Sequence, residues 1–301
     1  MNALVALLHF CEVHGPCVVF CTQPMHEEQS LDMKKSNNGN CAACTAQFPL
    51  VNTGQSISEA KYLITTDEEY PNIKYIGTKT PPQNHLYKAV RLACVRSLTA
   101  EFCQGRDGPV LFGDDENGYV MSYMFKLRDS QARGEARFYS FMILMADRVY
   151  LISCWPFIVS AFKSMVIQLQ ERANAVFQKE KEVKQQQQQF SYYSISNRRG
   201  APISQEQFFK RRSHTPLRSL VDLLGIKDIY IHIQAQFSFV LKLASRKRIE
   251  KLNPGRTEST LYLKMVNQKF KRISIVDFFI ERRIFGEKAS TTAKRRTRID
   301  L

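Results

Sequence analysis

The sequence predicts an α/β chain in which a mostly antiparallel sheet is covered by helices and a basic last third follows. Three observations lead there. Short β-rich runs come in pairs around turn residues. Two helical stripes separate and follow those pairs. The formal charge of +15 on 301 residues is unevenly placed: residues 195–301 carry 24 basic and 9 acidic side chains, residues 1–194 carry 19 of each. A pI near 9.5 would by itself suggest a polyanion partner. The uneven split confines that idea to Lys210-Arg211-Arg212, Arg246-Lys247-Arg248 and Lys294-Arg295-Arg296. The favoured reading of these is a solvated face or tail, and no specific nucleic-acid partner is expected.

The elements follow in order. Asn2 to Phe10 is apolar on both faces and reads as a central strand. His14-Gly15-Pro16 turns the chain into a second strand, Cys17 to Cys21, closing a hairpin. Residues 22–58 lose all period and read as a long mobile loop. Lys61 to Ile64 and Lys74 to Ile76 are candidate short strands. After Pro81-Pro82, the spacing of Leu86, Val90, Ala93, Cys94 and Ser97-Leu98 predicts an amphipathic helix of three to four turns. Val110 to Phe112 and Tyr119 to Leu127 flank an Asp114-to-Gly118 turn whose Asn-Gly pair suits a tight hairpin. Arg128 to Arg137 is a charged loop. Phe138 to Met145 and Arg148 to Ile152 are expected to form a further hairpin through Ala146-Asp147. Pro156 then opens a long helix in its first turn. Its apolar stripe is Ile158, Phe162, Met165, Val166, Leu169, Ala173, Val176 and Phe177, and it frays over Lys179 to Gln189. Further on, Leu217, Leu220, Val221 and Leu224 have helical spacing, whereas the alternation of Ile229, Ile231, Ile233, Ala235, Phe237 and Phe239 reads as a strand.

The hairpin–helix–hairpins–helix order is that of a longin or roadblock-type fold. The expected organisation is a longin domain over 1–184 with a mobile loop at 22–58, a Gln-rich and basic linker over 185–216, a middle region beginning at 217–248, and a divergent, disordered basic tail over 249–301. No apolar run reaches the 18–20 residues or so of a membrane span. The apolar stretch Ala3 to Leu8 is too short for a signal-peptide core. Eight cysteines are too sparse for a disulfide scaffold, so a reduced, cytosolic protein is expected.

Several constellations carry chemistry in principle. Cys41-Ala42-Ala43-Cys44 is half of a zinc site. Cys17 and Cys21, four apart on one strand, share a face in this reading, with Cys11 and His14 nearby, so a four-ligand site is conceivable. Cys17 and Cys21 are instead assigned to the core, where free cysteine is common, and neither metal nor cofactor is expected. Asp107, Asp114, Asp115 and Glu116 lack the alternating positions of a calcium loop and read as a solvated turn. His9 and His14 read as a strand histidine and a hairpin end. No GxxxxGK[ST] phosphate loop is present, nor any GxSxG or HExxH. Arg211-Arg212-Ser213 is a weak match to a basophilic kinase site.

Specific segments are familiar. The opening MNALVALLHFCEVHGP (1–16), LACVRSL (92–98), GRDGPVLFGDDENGYVMSYMFKLRDSQARGEARFYS (105–140) and DRVYLISCWPF (147–157) resemble the folliculin family, with a weaker echo over 217–245. Members carry an N-terminal longin domain, the upstream part of a DENN module, and most continue into a larger DENN domain. From residue 248 onward this chain departs from the pattern. The resemblance implies a GTPase activator with no active site of its own, acting on Rag-type GTPases of the C/D class together with a folliculin-interacting protein. It implies a cytoplasmic protein, also nuclear, recruited through partners to the lysosomal surface in amino-acid signalling to the TOR kinase.

The resemblance places the family's catalytic arginine at Arg133, in Gln131-Ala132-Arg133-Gly134. Ala132 and Gly134 leave that loop slim, and Arg128 and Arg137 flank it as orienting or partner-binding groups. Two competing readings stand beside this one: a longin/DENN-like scaffold or nucleotide-exchange module in membrane trafficking, in which Arg133 is dispensable, and a polyanion binder acting through the basic last third.

Overall fold

The structure, a computed structural model, describes residues 3–25, 41–52, 57–67, 72–81, 84–101, 108–195 and 217–252. The Lys210 and Lys294 basic runs, Ser213 and Asp107 lie outside them, as do residues 26–40 of the expected loop and the tail from 253 on.

Seven strands form one antiparallel sheet. In chain order the strands are β1 (Ala3–Cys11), β2 (Gly15–Met25), β3 (Leu50–Asn52), β4 (Ile57–Glu59), β5 (Leu63–Thr66), β6 (Lys74–Thr78), β7 (Pro109–Asp114), β8 (Gly118–Arg128) and β9 (Ala136–Met145). The sheet order is β5-β6-β2-β1-β9-β8-β7, and β3 and β4 pair separately. The mixed α/β class with a mostly antiparallel sheet is therefore as the sequence predicts. β1 lies in the middle, with Val5 opposite Thr22 on one side and Ile143 on the other. Its alternate residues enter two different cores, which is why it is apolar on both faces. Leu4, Ala6 and Leu8 pack beneath helix α1 (Asn84–Val95). Ala3, Val5 and Leu7 face the opposite layer.

On the first face, Val90, Ala93, Cys94, Ser97 and Leu98 are all buried, as their spacing predicts. The helix ends in a single π turn over Arg96–Ala100. On the second face lie α2 (Arg148–Ile195), α3 (Leu220–Leu224) and α4 (Ile229–Leu252). The predicted stripe of α2 from Ile158 to Phe177 is buried, with only Val176 partly exposed. α3 is bounded by Ser219, whose hydroxyl accepts the Asp222 N–H at 3.1 Å, and by Gly225 in the left-handed region.

The structure corrects several local expectations. Arg148 to Ile152 is the first turn of α2, not a strand. Asp147 caps it by accepting the Tyr150 N–H at 2.9 Å through its side chain, and Tyr150, Leu151 and Cys154 are buried at helical spacing. Pro156 accordingly lies inside the helix, where its missing N–H leaves the Ile152 carbonyl without its usual donor. The helix does not fray at 179–189 but runs to Ile195. It is long and apolar enough to cross a membrane by length and composition, against the sequence reading, although half of that apolar window is buried against the protein.

The expected strand over 229–239 is part of α4. Its buried apolar residues include Ile229, Tyr230, Ile233, Phe237, Val240, Leu241 and Ala244, at helical spacing, while Ala235 of the alternating set is exposed. Within the expected loop at 22–58, Thr22 to Met25 extend β2, and Ala43, Cys44, Ala46 and Phe48 are buried. At the Asn117-Gly118 turn only Gly118 has positive φ (86°). The Asp114 carboxylate holds the loop by accepting the N–H groups of Glu116 and Asn117 at 3.1 and 2.7 Å. Cys17 and Cys21 do not share a face. Leu7 pairs with Phe20 and Leu8 with Val18, so Val19 is an extra residue. This bulge leaves Cys17 opposite His9 and Cys21 opposite Ala6, which face different cores.

His9 is a strand histidine, as expected. Its Nδ1 donates to the Phe138 carbonyl at 3.1 Å and its ring stacks on Tyr139 with centroids 4.5 Å apart. Burial lowers its pKa to about 4, so it is neutral near pH 7.

α4 is fastened to the sheet through Gln234. Its side chain accepts from the Thr22 hydroxyl at 2.6 Å and donates to the Tyr75 carbonyl at 3.0 Å. This close approach requires a glycine beneath it. A Cβ on Gly77 would lie 2.3 Å from Gln234 Oε1 and 2.6 Å from Phe20 Cζ. Gln234 is pinned by its hydrogen bonds and Phe20 is fully buried, so neither can yield freely. Gly77→Ala should therefore destabilise the chain by about 1–3 kcal/mol through overpacking, read as a lower urea midpoint with an unchanged slope.

Candidate functional site

The loop joining β8 to β9 is short, and its own backbone closes it. The Asp129 N–H donates to the Glu135 carbonyl at 3.0 Å, the Ala132 N–H to the Asp129 carbonyl at 3.2 Å, and the Glu135 N–H to the Ala132 carbonyl at 3.0 Å. Arg133–Glu135 forms a 3-10 turn in which Gly134 (φ 72°) and Glu135 (φ 56°) both occupy the left-handed region. Glycine enters that region without cost; glutamate does so only under restraint.

The restraint comes from beneath. The Asp129 carboxylate is buried and accepts from Arg137 Nε at 2.5 Å and from Arg218 Nη1 at 3.0 Å. Burial alone would raise its pKa. Hydrogen bonds from Arg137 and from the Gln131 N–H, with the charges of both arginines, outweigh that and hold the carboxyl below its ordinary value. Arg218 also pairs with Glu180 of α2 at 2.9 Å. Glu180 accepts from the Ser130 hydroxyl at 2.6 Å, Lys184 donates to the Ser130 carbonyl at 3.0 Å, and Lys181 pairs with Glu135 at 3.1 Å. The guanidinium of Arg128 lies 4.3 Å from the centre of the Phe177 ring, a cation–π contact.

Arg133 stands apart from this clamp. It is exposed, and only its backbone N–H is tied, at 3.4 Å to a carboxylate oxygen of Glu12 in the β1–β2 turn. Its guanidinium has no hydrogen bond or ion pair among the described residues. The chain neighbours of Gly134 aside, no atom of the described residues lies within 4 Å of where a Cβ on Gly134 would stand, so the tip is open. The two flanking arginines therefore have separate positions: Arg137 is buried in the clamp and Arg128 covers α2. Sequence reasoning missed Arg218 and Glu180. They lie 89 and 51 positions from Asp129, and no local spacing links them.

The cysteine constellation is also regrouped. The sequence reading gives Cys17 and Cys21 to the core and expects no metal. In the structure Cys21 is fully buried beside Thr78, whereas Cys41 and Cys44 come together with Cys11 and His14 at the end of the first hairpin.

Comparison with known proteins identifies the family of the chain. A family model described as "Folliculin: Vesicle coat protein involved in Golgi to plasma membrane transport" matches residues 73–244. Folliculin of Homo sapiens is 33% identical over 294 residues, covering 87% of this chain and 49% of its own length. Folliculin of Xenopus tropicalis is 32% identical over the same extent. Protein LST7 of Saccharomyces cerevisiae is 26% identical over 178 residues, covering 55% of this chain and 67% of its own. The chain thus spans about half the length of the folliculins it matches. The matched segment takes in the Arg133 loop and the helices that clamp it, and it covers more than half of the residues; the chain belongs to the folliculin family.

Proposed function

We propose that this chain is the catalytic-loop region of a GTPase-activating subunit for Rag-type GTPases of the C/D class. It acts with a folliculin-interacting protein at the lysosomal surface, in amino-acid signalling to the TOR kinase. The observation that carries this reading is the contrast within one loop: a base held by buried ion pairs and an exposed tip whose arginine side chain has no partner among the described residues.

That contrast suits an arginine finger. GTP hydrolysis is limited by positioning and by charge developing on the phosphoryl oxygens. An inserted guanidinium offers planar, paired donors to that charge and contributes about 10³–10⁵ in rate, or about 4–7 kcal/mol. A finger loses this advantage if it must be ordered on arrival, so a rigid base favours the chemistry. Ala132 and Gly134 on either side of Arg133 keep the tip narrow enough for a nucleotide cleft. A place for the partner is offered by the edges of the sheet. β5 and β7 are its outer strands, and we assign the six-residue β7 to pairing with a partner longin domain. The resulting complex has no nucleotide-hydrolysing site from this chain; the GTPase supplies it.

Arg133→Ala should leave thermal stability and partner binding unchanged and reduce stimulated single-turnover GTP hydrolysis by about 10³-fold or more, with Lys failing to restore it. Unchanged hydrolysis in that variant, with intact GTPase binding, would favour the scaffold or exchange reading.

Asp129→Asn removes the shared partner of Arg137 and Arg218. It should cost about 3–5 kcal/mol, because it leaves buried guanidinium charge uncompensated. Chemical denaturation would measure the loss. Stimulated hydrolysis should fall too, though Arg133 itself is untouched.

A further inference from the structure

Cys11 ends β1 and is fully buried. His14 lies three residues on, in the hairpin turn. Cys41 and Cys44 form a second pair of the same spacing, closed by a hydrogen bond from the Cys44 N–H to the Cys41 carbonyl at 3.1 Å. The chain thus brings together a C-x-x-H and a C-x-x-C, two ligand pairs each on a tight turn. All four ligand atoms lie within 4.8 Å of one another. His14 Nδ1 is 3.6 Å from Cys11 Sγ and 3.5 Å from Cys44 Sγ. In a tetrahedral zinc site, with Zn–S of about 2.3 Å and Zn–N of about 2.0–2.1 Å, the S···N edge is about 3.6 Å. The two S···N distances match the edges of such a centre.

From these distances we propose that Cys11, His14, Cys41 and Cys44 bind one structural zinc ion. Three thiolates and one imidazole form a soft, closed, four-ligand set, which selects zinc over the hard cations that prefer oxygen. Nothing in this assignment depends on the GTPase reading.

Two further observations support it. The segment from Cys41 to Phe48 contains no helix or strand, yet it carries Ala43, Cys44, Ala46 and Phe48 into the core. A stretch with so few backbone ladder bonds needs another tether to the end of the sheet, and the metal supplies one. The thiols are also crowded in a way that a cation relieves. Cys44 lies beside both Cys11 and Cys17, and a divalent ion bound between the ligands would displace their thiol protons. A cavity of 310 Å³ lined by His14, Cys17, Cys41 and Cys44 opens beside the cluster and gives an ion a way in. Cys17 is not one of the four and stands as the neighbouring thiol.

The site also fixes the β1–β2 turn. Glu12, whose carboxylate meets the Arg133 N–H, lies between the ligands Cys11 and His14.

The test uses the full chain purified from zinc-supplemented medium. Elemental analysis should find one zinc per chain. Cobalt added after chelation should give the thiolate charge-transfer band and the strong visible bands of a tetrahedral sulfur-rich site. Cys44→Ser and the Cys41→Ser/Cys44→Ser pair should lose both signals. Cys17→Ser and Cys21→Ser should keep them. Should the Cys44 variants fail to fold, thiol labelling of the wild-type chain decides: chelator should expose three additional reactive cysteines and lower the melting temperature. Metal-free wild type that is equally stable, zinc content unchanged in the Cys41/Cys44 pair, or a disulfide among these cysteines in the freshly purified chain would each overturn the proposal. Loss of zinc from Cys17→Ser would overturn the ligand assignment.

Discussion

One buried carboxylate joins parts of the chain that are otherwise remote. Asp129 ends the β8 side of the loop and receives Arg137 from β9 and Arg218 from the start of the α3 region. Through Arg218 it reaches Glu180 on α2. An ion pair at this depth is poor in net stability, because both partners must leave water. What it supplies is geometry. Two guanidinium groups arriving from different directions admit few arrangements of one carboxylate, so loop, strand and helix are held in a single mutual setting.

The same principle places α4. Gln234 is a polar side chain in an apolar layer, and its Thr22 and Tyr75 partners tie the helix to β2 and β6 in one register. Hydrophobic burial of Tyr230, Ile233 and Phe237 would tolerate small slides along the sheet. The amide and the glycine beneath it do not. Residues 217–245 thus pack within the same hydrophobic core as α2.

Much of this was legible in the sequence where one local pattern governed one element. β1 announced its central position by being apolar throughout, and α1 and the middle of α2 by their stripes. The failures share a cause. Residues 229–239 satisfy period two and period 3.6 at once, because Ile231, Ala235 and Phe239 fill the alternating positions without being the buried ones. Arg148 to Ile152 is rich in β-branched and aromatic residues, and only the Asp147 cap reveals a helix start. The Val19 bulge has no glycine or proline to mark it, yet it decides which face each cysteine meets. In the site, Arg133 was found through family resemblance and not through spacing. The clamp beneath it was invisible, because its partners are brought together only by the fold.

Glu135 shows what the clamp does to the chain that it holds. Most residues shun the left-handed backbone that it occupies, and the position immediately before it already uses the glycine that would enter such a bend willingly. Lys181 of α2 pairs with the Glu135 carboxylate, and Lys184 donates to Ser130 near the start of the connection. The curvature of this seven-residue connection thus rests on the buried Asp129 clamp and on α2 together. Wherever the outer turns of that long rod point, the connection is shaped to match.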